Sequence, residues 1–357
     1  MKNLKNISIV FLPGIIVLVV FLVVGGYYIH WNSSSPENTC LSCHEIEEAF
    51  AEWSHSPHRE FHCKECHGTA LSNGLHSLKE KGRMIVKHYT REQFEEIEMN
   101  EKQILEAMDN CKRCHQSEYA GWLAGGHSTT YEAIFLNEEQ NRKEQLNWDC
   151  VRCHGMFYER TIKELVTPLE REGPWQLREP EKAGEPTIPC MACHQIHKKG
   201  PVTKVPDYSS PEMMFYERDD SMAHVSFYDR HEKMHIPAEE LPKLKLWDGE
   251  RQVHVSDDPR QNVCVQCHAP NGFHQAGTSD DKTPLGVHEG LSCMACHEPH
   301  SNDSRQSCKN CHPALSNCGI DVTTMNTTFK DRESEHDIHT VSCNDCHSAD
   351  TKGVNDL

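Results

Sequence analysis

Two cysteines with two residues between them, followed at once by a histidine, recur nine times along this 357-residue chain. The copies are CLSCH (40–44), CKECH (63–67), CKRCH (111–115), CVRCH (150–154), CMACH (190–194), CVQCH (264–268), CMACH (293–297), CKNCH (308–312) and CNDCH (343–347). They absorb 18 of the 19 cysteines: Cys40, Cys43, Cys63, Cys66, Cys111, Cys114, Cys150, Cys153, Cys190, Cys193, Cys264, Cys267, Cys293, Cys296, Cys308, Cys311, Cys343 and Cys346. Thiol pairs at this spacing also serve zinc ribbons, iron–sulfur clusters, redox couples and structural disulfide frameworks. None of those requires a histidine directly after the second cysteine, and all nine motifs carry one. The pattern is the attachment signature of c-type haem. Its two thiols bond to the porphyrin vinyl groups, and the adjacent histidine becomes the proximal iron ligand. The chain is therefore expected to hold nine covalently bound haems c, with His44, His67, His115, His154, His194, His268, His297, His312 and His347 as proximal ligands.

An iron held by one histidine keeps a sixth position, which low-spin electron-transfer haems commonly fill with a second histidine. Of 26 histidines, 17 lie outside the motifs, enough for nine such sites. The candidate distal ligands are His58, His127, His197, His224, His288, His300 and His339. His58 and His288 stand five residues before a motif cysteine, and His339 stands four before Cys343. That is too close to reach the far face of the same motif's iron, so each is expected to cap a neighbouring haem. The alternative for any one of them is a surface histidine. The longest stretch without a motif, 198–263, holds His224, His231, His235 and His254 with Met213, Met214, Met222 and Met234. It either supplies further ligands or is an ordinary helical insertion. Cys318, in SNCG, is either a sulfur-reactive thiol or incidental.

These sites need a frame and a location. Residues 7–29, ISIVFLPGIIVLVVFLVVGGYYI, contain no charge over 23 positions, enough to cross a hydrocarbon core of about 30 Å as a helix. Pro13 and Gly14 are tolerable in such a helix. Lys2 and Lys5 precede it without acidic residues, which keeps the amino terminus inside. Tyr27, Tyr28 and Trp31 suit the outer interface. A cleaved signal peptide is the competing reading; YYIHWNSSSP follows where a small-x-small site would stand, so an uncleaved single-pass anchor is expected. The haem domains then lie in the periplasm or outside, beyond the cytoplasmic (inner) membrane.

Only 37% of the chain is hydrophobic, membrane segment and cysteines included. A conventional core is hard to build from so little. The expected fold is mainly α with much irregular coil, a multihaem cytochrome c wrapped around stacked haems behind one N-terminal transmembrane helix. The formal charge of −18 excludes nucleic acid as a partner. The stretch TPLEREGPWQLREPEKAGEPTIP (167–189), with its five prolines, reads as a linker. The expected divisions are an anchor (1–30), a tetrahaem domain (31–166), the linker (167–189) and a pentahaem domain (190–357). In the tetrahaem part, Trp53 and Trp122 each stand five residues before a histidine, able to stack on a porphyrin or simply to fill space.

One uncharged N-terminal helix followed by four motifs resembles the NapC/NirT/NrfH family of membrane-anchored quinol dehydrogenases. The segment CLSCHEIEEAFAEWSHSPHREFHCKECHG (40–68) is similar to that family's closely spaced first two motifs. LKEKGRMIVKHYTREQFEE (78–96) is similar to its lysine-rich helix with a following Phe-Glu pair. The resemblance runs from Met1 to about Leu165. It implies oxidation of membrane quinol, menaquinol or ubiquinol, at the haem nearest the bilayer, and delivery of electrons to a periplasmic redox partner. It also implies a methionine close behind the first motif, where Ile46 stands here, with Met84 a candidate for another role nearby. Lys79 and Lys81 match the region that contacts quinol in relatives; the alternative is a basic face near lipid headgroups. The remainder resembles multihaem cytochromes generally.

The leading expectation is an electron conduit that takes electrons from quinol and relays them to a periplasmic or extracellular acceptor. The rival is a reductase of nitrite, hydroxylamine or a sulfur oxyanion, which needs a haem with an open sixth position. Nitrite reductases often mark that haem with a lysine in place of the motif histidine, and no C-x-x-C-K occurs here. A link fed by another subunit is the third reading.

Overall fold

In the computed structural model the described residues are 2–35, 38, 41, 44–68, 78–90, 99–197, 225–269, 281–300, 308, 311–312, 326–328 and 330–346. The side chains of 2–12, 31, 45, 78–81, 84, 87, 343 and 346 are not among them. Helix α1 (Lys2–Ser33) contains the uncharged stretch, with Pro13 inside it. Its window Pro13–His30 has a mean hydropathy of 2.0 and buries none of its surface in the protein. Val17 and Phe21 are 67% and 75% exposed. An apolar helix with no protein against it is suited to lipid. Helix α1 has 32 residues. At a rise of about 1.5 Å per residue, that length exceeds a hydrocarbon core of about 30 Å.

Contacts divide the chain into two compact units: residues 1–99 with 197–199, and 100–196 with 200–357. This differs from a break at 167–189. In the first unit a 3-10 turn (His44–Ile46) runs into α2 (Glu47–Ser54), and the second motif forms α3 (Cys63–His67). Helix α3 is capped reciprocally. The His62 ring accepts from the Lys64 amide at 3.1 Å, and the Glu65 carboxylate accepts from the His62 amide at 3.0 Å, so two donors at the helix start are satisfied. The Trp53 indole donates to the His58 carbonyl at 3.1 Å, which fixes that loop. Helix α4 (Leu78–Thr90) leaves Ile85, Val86 and Tyr89 exposed.

The second unit opens with α5 (Glu101–Cys114), capped by an Asn100/Gln103 box, and α6 (Gln116–Ala124). Short helices follow: α7 (Tyr131–Phe135), α8 (Glu138–Lys143), α9 (Cys150–Cys153) and α10 (Ile162–Leu165). Strands β1 (Val166–Thr167) and β2 (Gln176–Leu177) pair antiparallel, Val166 opposite Leu177. Two hairpins come next. Strand β3 (Ser226–Asp229) pairs with β4 (Met234–Pro237), and β5 (Trp247–Asp248) with β6 (Arg251–Gln252). Helix α11 (Pro259–His268) carries motif six, and α12 (Cys343–Cys346) begins motif nine. The chain is thus mostly helical with coil, and the sheets are two-stranded among the described residues. Residues 225–258 form hairpins and coil where a helical insertion was one expectation.

The proline-rich stretch is not a loose connection. Trp175 and Leu177 belong to a hydrophobic cluster with Tyr131, Phe135, Val151 and Leu165. The Trp175 indole donates to the Glu170 carbonyl at 3.1 Å. Downstream, the Tyr131 amide donates to Glu185 and the Gly155 amide to Thr187, both at 3.1 Å. Lys182 pairs with the buried Glu101 of α5, which also accepts from the Tyr131 hydroxyl. Prolines mark it as irregular, but tryptophan, leucine and the paired charge give it something to bury. Trp175→Ala is expected to destabilise this unit by about 3–5 kcal/mol, measured as faster limited proteolysis and a lower thermal midpoint; a true linker would show neither.

Candidate haem-binding sites

Six of the nine motif histidines lie in ring contact with a histidine outside the motifs, among the described residues. His44 faces His88, with ring centres 5.8 Å apart. His67 faces His197 at 5.8 Å and His268 faces His127 at 6.2 Å. His194 faces His300 at 5.8 Å, His312 faces His288 at 6.3 Å, and His297 faces His339 at 6.1 Å. Ordinary aromatic packing covers about 4.5–7 Å, so distance alone does not mark a ligand pair. Each of the six joins a motif histidine to a non-motif histidine, the pairing that a bis-histidine iron would need. A metal–imidazole bond is about 2.0–2.1 Å, with the ring centre ~1.1 Å further back, so two imidazoles on one iron have centres about 6 Å apart. The spacing fits an iron between the rings.

The surroundings prepare several of these rings. Nδ1 of His339 lies 2.9 Å from the Asp337 carboxylate, and Nδ1 of His288 lies 3.2 Å from the Ile338 carbonyl. In both, Nδ1–H donates and Nε2 keeps its lone pair, the usual outer support of a metal-bound histidine. Asp337 is held at about 2; burial opposes this, and hydrogen bonds from the His339 amide and ring, with the Lys282 ammonium, outweigh it. Burial pushes His197, His288 and His312 below the ordinary imidazole value, towards the neutral, ligating form. Nδ1 of His312 is buried without a hydrogen-bond partner.

Local backbone geometry sets the rings. The Leu285 and Val287 amides donate to the His339 and Val341 carbonyls at 2.7 and 2.9 Å, which aligns the segments carrying His288 and His339. Gly286 sits between them at φ +65°, and a Cβ there would stand 2.1 Å from the Val341 carbonyl. Gly121 of α6 is equally constrained: a Cβ would stand 1.4 Å from the His300 carbonyl oxygen.

The motif cysteines gather from distant parts of the sequence. The Cys153 side chain lies beside Cys267, and Cys264 beside Cys293. The Arg152 guanidinium donates to the Gln266 carbonyl and, at 2.9 Å, to the Asp149 carboxylate. Burial, with Cys264 and Cys190 adding to it, pushes the Cys193 thiol up to about 12. Asp258, fully buried, caps α11 through the Arg260 amide at 3.0 Å and accepts from Ser292 at 2.7 Å, directly before motif seven. One carboxylate therefore positions motifs six and seven, its charge balanced by Arg260 at 2.8 Å.

Of the seven distal candidates, His127, His197, His288, His300 and His339 are the ones set against motif histidines. His58 is half-buried beside Phe61 and close enough to His197 to lower its basicity. His224 lies outside the described residues, as do Cys40, Cys43, His347 and Cys318; the side chains of Lys79, Lys81, Met84, Cys343 and Cys346 do too. His235 accepts or donates to Ser226 at 2.9 Å within the β3–β4 hairpin, and His231 packs on Trp148. Ile46 stands in the 3-10 turn after His44 and its hydrocarbon side chain offers no lone pair; His88 is the ring beside His44. Sequence reasoning missed His88, although it follows Lys81 by two helical turns. Trp122 donates to the Ile188 carbonyl at 3.1 Å, so Trp53 and Trp122 both tie backbone in place. Among the described residues no group of three or more Cys, His, Asp or Glu is arranged to hold a metal ion directly.

A second feature lies in the first unit. A cleft between the end of α1 and α3 is lined by Tyr28, Ile29, Asn32, His62, Lys64 and Glu65. Both amide atoms of Asn32 are buried there without a hydrogen-bond partner, and Lys64 donates to the Ser34 carbonyl at 3.1 Å.

Residues 2–160 match the NapC/NirT cytochrome c family, N-terminal region. Residues 221–298 match the family of cytochrome c554 and c-prime. A curated relative is the cytochrome c-type protein NrfH of Wolinella succinogenes, 25% identical over 137 residues, covering 37% of this chain and 75% of the relative. No solved structure matches the chain. Both family matches are to cytochromes c, whose cofactor is covalently bound haem c, and the donor sets described above fit it. With its exposed apolar helix, the chain is a membrane-anchored multihaem cytochrome c of electron transfer. Over residues 2–160 it is a cytochrome c of the NapC/NirT/NrfH type.

Proposed function

We propose that this protein carries nine haems c and relays electrons from membrane quinol to a periplasmic or extracellular redox partner. The observation that supports this best is the repeated facing of a motif histidine by a second histidine. Haem c supplies one-electron redox chemistry when bound. At the six motifs with a facing ring, two imidazoles on one iron would leave no position for substrate, which favours relay over reduction of nitrite, hydroxylamine or a sulfur oxyanion. His44 and His88 extend this reading to the haem of motif one, where the resemblance implies a methionine.

The quinol site is read at the cleft where α1 ends. Tyr28 and Ile29 offer an apolar wall at the membrane side. The Asn32 amide, otherwise buried with its hydrogen bonds unmade, can donate to one quinol oxygen and accept from a hydroxyl. Leaving such a group unsatisfied costs about 1–3 kcal/mol. The Glu65 carboxylate lines the same cleft and can take up a proton. On oxidation the quinol loses two electrons and two protons and becomes the quinone. Lys79 and Lys81 on α4 are the other proposed quinol contact, beside the exposed Ile85, Val86 and Tyr89. This reading places α1 across the inner membrane with its amino terminus inside and the haem-bearing residues in the periplasm.

The test is stopped-flow reduction of the oxidised, detergent-solubilised protein by a menaquinol analogue. Rapid growth of the reduced haem bands is expected, and a spectrum that stays oxidised while dithionite reduces every haem would sink the quinol reading. Asn32→Leu is expected to slow that reduction by about tenfold, the loss of one hydrogen bond of ~1.4 kcal/mol, with dithionite reduction unchanged. Gly121→Ala is expected to drive the His300 backbone away from His194 and convert one low-spin haem to high spin in the electron paramagnetic resonance spectrum. An unaltered spectrum would remove His300 from the ligand set.

A further inference from the structure

The distal histidines do not stay with their own half of the sequence. His197 lies beyond residue 160, where the NapC/NirT match ends, and follows motif five by three residues. Its ring faces His67 of motif two, with 5.8 Å between centres and planes inclined by 31°. His127 lies inside that match, just after motif three, yet faces His268 of motif six, within the c554-like match, at 6.2 Å and 47°. Neither histidine serves the motif nearest to it in sequence. Motif five already has its own facing ring, since His194 meets His300 at 5.8 Å and 22°.

We infer that these two histidines are exchanged ligands: His197 closes the haem of motif two, and His127 closes the haem of motif six. The inference rests on the reading that both motifs carry haem. His197 is half-buried and near His58, which suits a ring fixed in place. His127 sits in a 3-10 turn (Gly126–Ser128), just after α6, whose Trp122 is tied to the Ile188 carbonyl at 3.1 Å. His268 ends α11, and its carbonyl accepts from the Lys282 amide at 3.1 Å. Motif six is further held by Arg152 of motif four through the Gln266 carbonyl.

The consequence is that the NapC/NirT-like region lacks one of its own axial ligands and supplies one to a motif it does not contain. It is therefore not a self-sufficient tetrahaem module. Each half needs the other before its irons are six-coordinate, so electron transfer cannot begin through a partly assembled chain with the same potentials. Met in place of His at an axial position raises the potential of a haem, which provides a readout independent of quinol oxidation.

The test uses the full-length holoprotein in detergent. Intact mass first counts the haems, and a wild-type chain short of the haem at motif two or six would overturn both this inference and the reading it rests on. With all haems present, His197→Ala is expected to add one carbon-monoxide-binding, high-spin haem per chain, and His127→Ala likewise. In a Cys63→Ser/Cys66→Ser background, which removes the haem of motif two, His197→Ala is expected to add none. In a Cys264→Ser/Cys267→Ser background the same holds for His127→Ala. A new high-spin haem that persists in those backgrounds would assign the histidine elsewhere and overturn the exchange while leaving the haem reading intact. His197→Met, which keeps a donor atom in place should the alanine variant fail to assemble, is expected to raise one reduction potential with the haem count unchanged; unchanged potentials overturn the exchange.

Discussion

Holding two imidazoles about 6 Å apart, from points far separated in the chain, is the constraint that organises this protein. A hydrophobic core cannot do it, because too little of the sequence is apolar. The work falls instead on small, close backbone contacts. Gly286 lets 285–287 run against the Val341 strand-like segment, and Gly121 lets α6 touch the His300 backbone. At each point a single methyl group would occupy the space of a carbonyl. Where the chain does bury charge, it pairs it: Asp258 with Arg260, and Glu101 with Lys182. An unpaired member of either couple would be costly in so dry a place.

The same economy explains the thiol positions. Cys153 with Cys267, and Cys264 with Cys293, bring motifs four, six and seven into contact. On the proposed reading, thiols gathered in this way would bring their porphyrins near one another. Asp258 then sets the starts of two motifs at once, so their spacing depends on one buried carboxylate and not on a flexible loop. Outer support from Asp337 and Ile338 fixes the tautomers of His339 and His288, the support that a metal-bound histidine would need.

The nine motifs were legible in the residues because they are local. Two thiols and a histidine at fixed spacing carry their meaning wherever they occur. The uncharged stretch 7–29 is equally local, since its length and composition alone suit a bilayer. Long-range facts were harder. His88 gave no cue beyond its helix position, and Asn32 is ordinary in sequence; its meaning comes from two amide atoms buried at the end of α1. The stretch 167–189 misled because proline content reports backbone irregularity, not burial. Trp175 and Leu177 within it were the cue to packing.

The residues between the cysteines draw the line most clearly. CVRCH and CVQCH carry valine and are buried at Val151 and Val265, whereas CKRCH carries two cations and exposes Lys112 and Arg113. The first spacer residue, valine or lysine, separates these core motifs from the surface one, although Arg152 and Gln266 beside the valines are buried too. It fails for the two identical CMACH copies: Met191 and Ala192 are buried, while Met294 and Ala295 are only half-buried. Sequence by itself determined the nine Cys-x-x-Cys-His motifs and the apolar helix, because each is a property of contiguous residues. Which ring faces which, and which CMACH lies deeper, only the tertiary structure decided, because those depend on contacts between segments that no local pattern encodes.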